Sequence, residues 1–362
     1  MAFRDIVGHQ RPIKWLQTAV TTNHLGHAYL FHGEPTIGKR LTAIALAQYL
    51  HCEAPQDAPT PDACGLCRSC HQIVQTTHPD FLLIHPEDSQ KQNPKITIDQ
   101  IRAIEHLVIY RPLVGSHKVC LIDQAESMTQ EAANALLKTL EDPPDHCLFL
   151  LISSRPEHLL PTIRSRCITL RFAPLPSASI YEFLRNRTDM EASDAQLIAA
   201  FSEGRLGLAM SCDPTELKVK LRQYWALLFG EHTASASRVM DMTEGLVKSN
   251  QAQEAIHWFW SGLRDLLLLT LDNSLSPTLY KDQEAALRQL AQQMTPFSVL
   301  PLIHELNQLE RGQQRNFNVQ IGLEQFFFHL HDQLGLSHSQ ELVKPPVVCQ
   351  PPVLQPSESF LE

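Results

Sequence analysis

The sequence predicts an α/β protein: a parallel sheet covered by helices on both faces, followed by an all-helical region. Three observations carry that expectation. Ala28-Tyr29-Leu30-Phe31-His32 reads as a buried strand that runs into a glycine-bearing loop and out into a helix over 41–50. Apolar strands at 118–122, 147–152 and 168–172 then alternate with helical patterns, as parallel strands joined by helical crossovers do. After Pro174 and Pro176 the strand pattern stops.

In chain order, a polar lead opens onto an amphipathic helix with Pro12 near its first turn and Ile13, Leu16, Ala19 and Val20 on one face. Asn23 and Gly26 supply its stop. The strand–loop–helix unit follows and ends at Cys52, after which residues 53–62, rich in Pro, Ala and Asp, read as an excursion from the fold. Thr97-Ile98-Asp99-Gln100 has capping-box form before a helix carrying Ile101, Ile104, Leu107 and Val108. The strand at 118–122 ends at Asp123, a helix over 129–141 is closed by Asp142-Pro143-Pro144, and the strand at 147–152 ends in Ser153-Ser154. Residues 177–213 read as a small helical unit with Gly204-Arg205-Leu206-Gly207 between two helices. From Thr215 to Leu336 the pattern is helix after helix, with a packing helix at 256–271 in which Arg264 and Asp265 speak against a membrane span. Five prolines in residues 337–362 predict a flexible tail.

The chemistry begins at Gly33-Glu34-Pro35-Thr36-Ile37-Gly38-Lys39-Arg40. In a phosphate-binding loop of the form G-x-x-x-x-G-K-[S/T], backbone N–H groups and a helix N-terminus cradle phosphates, the lysine reaches the outer ones, and the hydroxyl holds Mg²⁺. Gly33, Gly38 and Lys39 are present, but Arg40 stands at the hydroxyl position. A guanidinium has only donors and a fixed positive charge, so it cannot ligate a cation. Asp123 lies where a second Mg²⁺ contact belongs. The next residue, Gln124, is neutral and cannot act as a base, while Glu126 reads as a solvated loop or helix-start residue. Lys39 then either binds an anion or caps its own helix.

Cys52, Cys64, Cys67 and Cys70 have the spacing of four thiolates that close around one structural Zn²⁺, with His51 and His71 as spare ligands. Cysteines at i, i+3 and i+6 also fit one face of a buried helix, but Arg68, Ser69 and Gln72 make the segment polar.

The chain has 362 residues, enough for two or three domains, and its 43% hydrophobic and 19% charged content is that of a globular protein. A net charge of −9 argues against binding nucleic acid by bulk charge, though not against a local basic surface. With no apolar run long enough for a membrane and nine cysteines suited to a reducing compartment, a cytoplasmic location is expected.

The run Asn134-Ala135-Leu136-Leu137-Lys138-Thr139-Leu140-Glu141-Asp142-Pro143-Pro144, followed by Ser165-Arg166-Cys167, resembles the AAA+ clamp-loader subunits of bacterial DNA polymerase III. His27-Ala28-Tyr29-Leu30-Phe31 and the four-cysteine insertion match as well, and the likeness runs from about residue 4 to 335. Within that family the alternatives are an ATP-hydrolysing gamma/tau-like motor and a delta-prime-like subunit. Arg40, Gln124 and Gly207 all depart from the motor pattern, Gly207 standing where motors carry a lid arginine. The resemblance therefore implies a delta-prime-like, ATPase-deficient subunit. Its partners would be delta and gamma/tau in a five-membered ring that loads a sliding clamp on primer-template DNA. It implies that Arg166 acts in trans on a neighbour's ATP, and that Ser153 and Ser154 occupy a phosphate-sensor region. Any polymerase (nucleotidyltransferase) activity would belong to the holoenzyme. The implied domains are a P-loop domain over 1–173 with a zinc insertion at about 52–70, a helical lid over 174–214, a helical collar over 215–336, and the tail.

Overall fold

The structure, a computed structural model, describes residues 2–54, 62–87, 94–187, 189–230, 236–275, 279–312 and 318–334. The chain divides into two compact units, the first ending at Leu217 and the second starting at Lys218.

The first unit opens with α1 (Gln10–Thr21), β1 (Ala28–His32), α2 (Lys39–His51) and α3 (Arg68–Val74). It continues through β2 (Phe81–Ile84), α4 (Ile98–Val108), β3 (Lys118–Ile122), α5 (Gln130–Glu141) and β4 (Cys147–Ser153). It closes with α6 (Pro161–Arg166), β5 (Ile168–Arg171), α7 (Ser177–Arg187), α8 (Ala192–Phe201) and α9 (Leu206–Ser211). The five strands form one sheet in the order β2-β3-β4-β1-β5, every neighbouring pair parallel. Leu30 pairs with Leu151 and Leu121 with Leu150, so the central strands are in register.

Side chains alternate across this sheet, and each face has its own core. Tyr29, Phe31, Leu121, Leu148 and Leu150 pack with Leu16 of α1 and Ala43 and Leu46 of α2. Leu30, Cys120, Ile122, Phe149 and Leu151 pack with Ile104 of α4, Leu136 of α5 and Ile163 of α6. All seven residues of β4 are buried, as a central parallel strand covered on both faces must be. The expected capping box is present, with Gln100 Oε1 accepting from the Thr97 N–H at 2.9 Å.

β2 was not expected from the sequence. Its four residues, Phe81-Leu82-Leu83-Ile84, show no alternation, and the strand pairs on one side only, at the sheet edge beyond β3. The parallel arrangement brings the C-terminal ends of β1, β3 and β4 to one edge, where α/β sheets bind ligands. His32, Ile122 and Ser153 end those strands.

α10 (Pro214–Phe229) leads into the second unit, which holds α11 (Ala236–Lys248), α12 (Ala252–Leu271), α13 (Glu284–Gln293), α14 (Pro296–Gly312) and α15 (Val319–Gln333). The expected packing helix is α12. Its Trp258 stacks on Tyr224 at 5.7 Å, and its Phe259 packs against Phe326 and Phe327. Asp265 is fully buried in that apolar run because its carboxylate accepts the Leu279 and Tyr280 N–H groups at 2.8 and 3.2 Å. Among the described residues no helix is long and apolar enough to cross a membrane. The proline-rich tail lies outside the described residues.

Candidate functional site

The loop between β1 and α2 has the backbone of a phosphate cradle. Gly33 and Gly38 have φ of +148° and +114°. At Gly33 a Cβ would also lie 2.2 Å from the Phe172 carbonyl oxygen, so only glycine fits. Gly38 N-caps α2, which places Lys39 and Arg40 in its first turn.

The two cations that follow fill the site themselves. Lys39 is buried, and its ammonium turns back onto the loop, donating to the Gly33 and Glu34 carbonyls at 2.5 and 2.7 Å and to Ser154 Oγ at 3.0 Å. Burial pushes its pKa below the usual lysine value, against the opposing pull of Glu126, Asp123 and Glu34. Arg40 Nη1 lies 3.3 Å from Asp123 Oδ2, so a guanidinium faces the carboxylate expected to hold a metal. This donor set does not fit Mg²⁺. The hydroxyl ligand is missing, and a fixed positive charge sits beside the remaining carboxylate.

Gln124 is exposed, with a left-handed backbone (φ 53°), and its carbonyl closes the following turn by accepting from Ser127. Ser153 and Ser154 divide their work: Ser153 Oγ accepts from the Arg155 N–H, whereas Ser154 meets Lys39. Glu126 corrects the sequence reading of a solvated residue. Its Oε1 accepts from the Ser154 N–H at 3.1 Å, its Oε2 is buried, and its charge acts on Lys39. The one available signal was its place three residues after Asp123, and nothing in that spacing shows which way the chain turns.

Helix α9 meets the same loop. Gly207 N–H donates to the Thr36 carbonyl at 2.9 Å, and a Cβ on Gly207 would approach that oxygen to 2.7 Å. The position has no room for an arginine side chain pointing at the loop.

Arg166 stands in the last turn of α6 with Nη1 on the Thr162 carbonyl (3.1 Å) and Nη2 on Glu141 Oε1 (2.7 Å). Both Arg166 and Glu141 are partly open to solvent. Nothing in the helix motif that contains Glu141 signals this partner; the pairing joins the end of α5 to the end of α6.

The four cysteines converge. The sulfurs of Cys52, Cys64, Cys67 and Cys70 all lie within 4.8 Å of one another, and those of Cys64 and Cys70 are 4.0 Å apart. Four thiolates at about 2.3 Å from a central Zn²⁺ would be separated by about 3.8 Å, so the set fits a tetrahedral ion. Backbone N–H groups of Cys64, Leu66, Cys67 and Cys70 point at these sulfurs, as they do at thiolates. The Leu66 N–H is the main cause that lowers Cys64 to about 6, while burial pushes Cys52 and Cys70 up.

His51, a spare ligand in the sequence reading, is engaged elsewhere, and His71 is exposed. Both ring nitrogens of His51 meet carbonyl oxygens, of Ala47 and His117, each at 2.9 Å. His51 clusters with His78 and Asp80 closely enough for a metal. The Asp80 carboxylate, however, is used by the Leu113, Val114 and Gly115 N–H groups. That donor set is a hydrogen-bonded network tying the end of α2 to the loop before β3, not an open metal site.

The family profile described as "DNA polymerase III, delta subunit" matches residues 8–176, and "DNA polymerase III, delta subunit, C terminal" matches 231–332. A delta-prime subunit of DNA polymerase III from Pseudomonas aeruginosa is 40% identical over 202 residues, 55% of this chain and 59% of that relative. The Escherichia coli delta-prime subunit is 32% identical over 67% of this chain and 70% of its own length. The Escherichia coli tau subunit is also 32% identical, over 68% of this chain, but only 38% of tau is covered.

Proposed function

Because the chain belongs to the family of DNA polymerase III delta-prime subunits, we propose that it is a non-hydrolysing subunit of a clamp loader. In that reading it joins delta and gamma/tau subunits in a five-membered ring in the cytoplasm, which places a sliding clamp on primed DNA. The observation that carries the reading is the Arg40–Asp123 pair, with Lys39 turned onto its own loop. A P-loop whose metal and phosphate positions face the protein's own cations has kept its shape and lost its ATPase chemistry. The contact through Gly207 supports the same conclusion, since the position packs on the Thr36 carbonyl and carries no arginine.

The chain's own catalytic contribution is then Arg166, offered in trans. A guanidinium brought to a neighbour's γ-phosphate would stabilise charge that develops in the transition state. To do so it must exchange Glu141 for phosphate oxygens. Cys52, Cys64, Cys67 and Cys70 hold a structural Zn²⁺, which cross-links the excursion after α2 to α3. Residues 1–173 form the P-loop domain, 174–214 the lid, 215–336 the collar that holds the ring, and 337–362 a tail.

Clamp loading by a ring reconstituted with and without this chain tests the assignment. Loading that needs the chain, with no phosphate release by the chain alone, is expected. Steady ATP turnover by the isolated chain, abolished by Lys39→Ala, would replace the assignment with that of a gamma/tau-like motor.

A further inference from the structure

One charged surface of the first unit has no part in the P-loop or in the contacts of Arg166. Residues 6–33 contain no Asp or Glu, although the whole chain has 39 acidic residues and a net charge of −9. The cations of that run stand on α1. Arg11, Lys14, Trp15, Thr18, Ala19, Thr22 and His24 line an open cleft of about 490 Å³, and no acidic residue is among them. Along the helix Arg11, Lys14, Trp15, Thr18 and Thr22 recur at three- and four-residue spacing, so they form a single stripe. The stripe runs about 16 Å at 1.5 Å per residue. The opposite face of α1, with Ile13 and Leu16, is buried in the core, which fixes the helix.

Trp15 gives the stripe its second character. Its ring is held near-perpendicular to that of buried Tyr29, at 5.5 Å and 75°, yet 42% of the residue remains open to solvent. An aromatic ring that packs by one edge on a buried neighbour and is still exposed offers a face for stacking. Arg11 and Lys14 stand beside it, and among the described residues neither has a carboxylate partner. The hydroxyls of Thr18 and Thr22 donate to the Lys14 and Thr18 carbonyls at 2.8 Å each, so anion binding falls to the two cations.

We propose that this stripe of α1 binds single-stranded DNA, with a base stacked on Trp15 and adjacent phosphates paired with Arg11 and Lys14. A single strand suits the site better than a duplex because an unpaired base must present its face to the indole. The absence of acidic residues from the run and from the cleft matches the charge of the phosphate backbone. The choice of DNA over RNA rests on the function proposed above.

The experiment uses the full chain and a fluorescein-labelled oligo(dT), read by anisotropy across a salt series and by tryptophan quenching. The parent binds oligo(dT) more tightly than a duplex of equal length. Arg11→Glu with Lys14→Glu removes two phosphate contacts and flattens the slope of log K against log salt by about 1.4. Trp15→Ala weakens binding by about 5- to 150-fold. Trp15→Phe, which keeps a ring against Tyr29, restores part of that loss and keeps the test valid if the alanine variant unfolds. No binding of oligo(dT), or binding unchanged in the charge-reversed chain, overturns the proposal. Equal, stripe-dependent binding of polyglutamate also overturns it, because the surface then takes an acidic protein. Tighter binding of oligo(U) than oligo(dT) withdraws DNA as the ligand, whereas failure of the clamp-loader reading is seen separately, in the reconstituted ring.

Discussion

Arg40 and Asp123, 83 residues apart in sequence, meet at 3.3 Å at the edge of the sheet where a complete phosphate-binding loop would hold a metal ion. Arg40 is half exposed, so the pair is worth about 0–1 kcal/mol in stability. Its consequence is chemical. Arg40→Thr is expected to shift the urea midpoint little and to leave the isolated chain without ATP turnover. Gln124 still supplies no carboxylate, and Lys39 is still engaged by its own loop. Phosphate release and chemical denaturation of that variant check both halves, and appearance of magnesium-dependent turnover would count against the account.

Arg166 and Glu141 make the second test. In an assembled ring, Arg166→Ala is expected to depress clamp-stimulated ATP hydrolysis while assembly is retained. Arginine fingers contribute on the order of 10³–10⁵ in rate in the best cases, and with several ATP sites in one ring the overall fall should be smaller. Glu141→Gln leaves Arg166 in place without its ion-pair partner. An assembled ring with full ATPase and loading activity after Arg166→Ala would reduce the arginine to its structural role on Glu141.

The cysteine cluster predicts one zinc per chain in protein purified without chelator. Cys67→Ser should lower both the zinc content and the melting temperature. Elemental analysis and calorimetry on the same preparations measure the two, and zinc-free protein of unchanged stability would remove the ion from the account.

Gly207 should tolerate almost nothing. A Cβ placed 2.7 Å from the Thr36 carbonyl oxygen forces either α9 or the loop to move. Gly207→Ala is expected to cost about 1–3 kcal/mol by overpacking, read as a lower urea midpoint. An unchanged midpoint would show that α9 is free to shift on the loop.

His9 predicts the direction of pH dependence. Burial holds its pKa below 6.5 in the folded protein, and Nε2 donates to the Ile37 carbonyl at 2.8 Å. The unfolded chain takes up a proton near 6.5 that the folded chain resists, so this contribution is lost as the pH falls through 6.5 toward the lower folded value. His32 shifts in the same direction, first through burial and then through Arg171 and Lys39. The urea midpoint should fall between pH 7.5 and 5.5, and less so in His9→Asn, in which asparagine suits the left-handed backbone at φ 53°. A variant as acid-sensitive as the parent would exclude His9 as a source.

The sequence by itself determined the central strands, the glycine loop, the four-cysteine set and the all-helical second half. Each is written in neighbouring residues: continuous apolar runs where a strand is buried on both faces, fixed cysteine spacings, and 3.6-residue periodicity. The substitutions at Arg40 and Gln124 were equally legible, because the loss of a hydroxyl or a carboxylate is a property of the residue alone. Tertiary structure decided where the displaced chemistry went. The pairing of Arg40 with Asp123, of Lys39 with Ser154 and of Arg166 with Glu141 joins residues 83, 115 and 25 positions apart. Glu126 became a partner of Ser154 only because parallel β3 and β4 end at the same edge. β2 was decided the same way, since four apolar residues without periodicity become a strand when a neighbouring edge supplies their hydrogen bonds. Spacing along a chain fixes which groups are available, and the packing of both sheet faces fixes which of them meet.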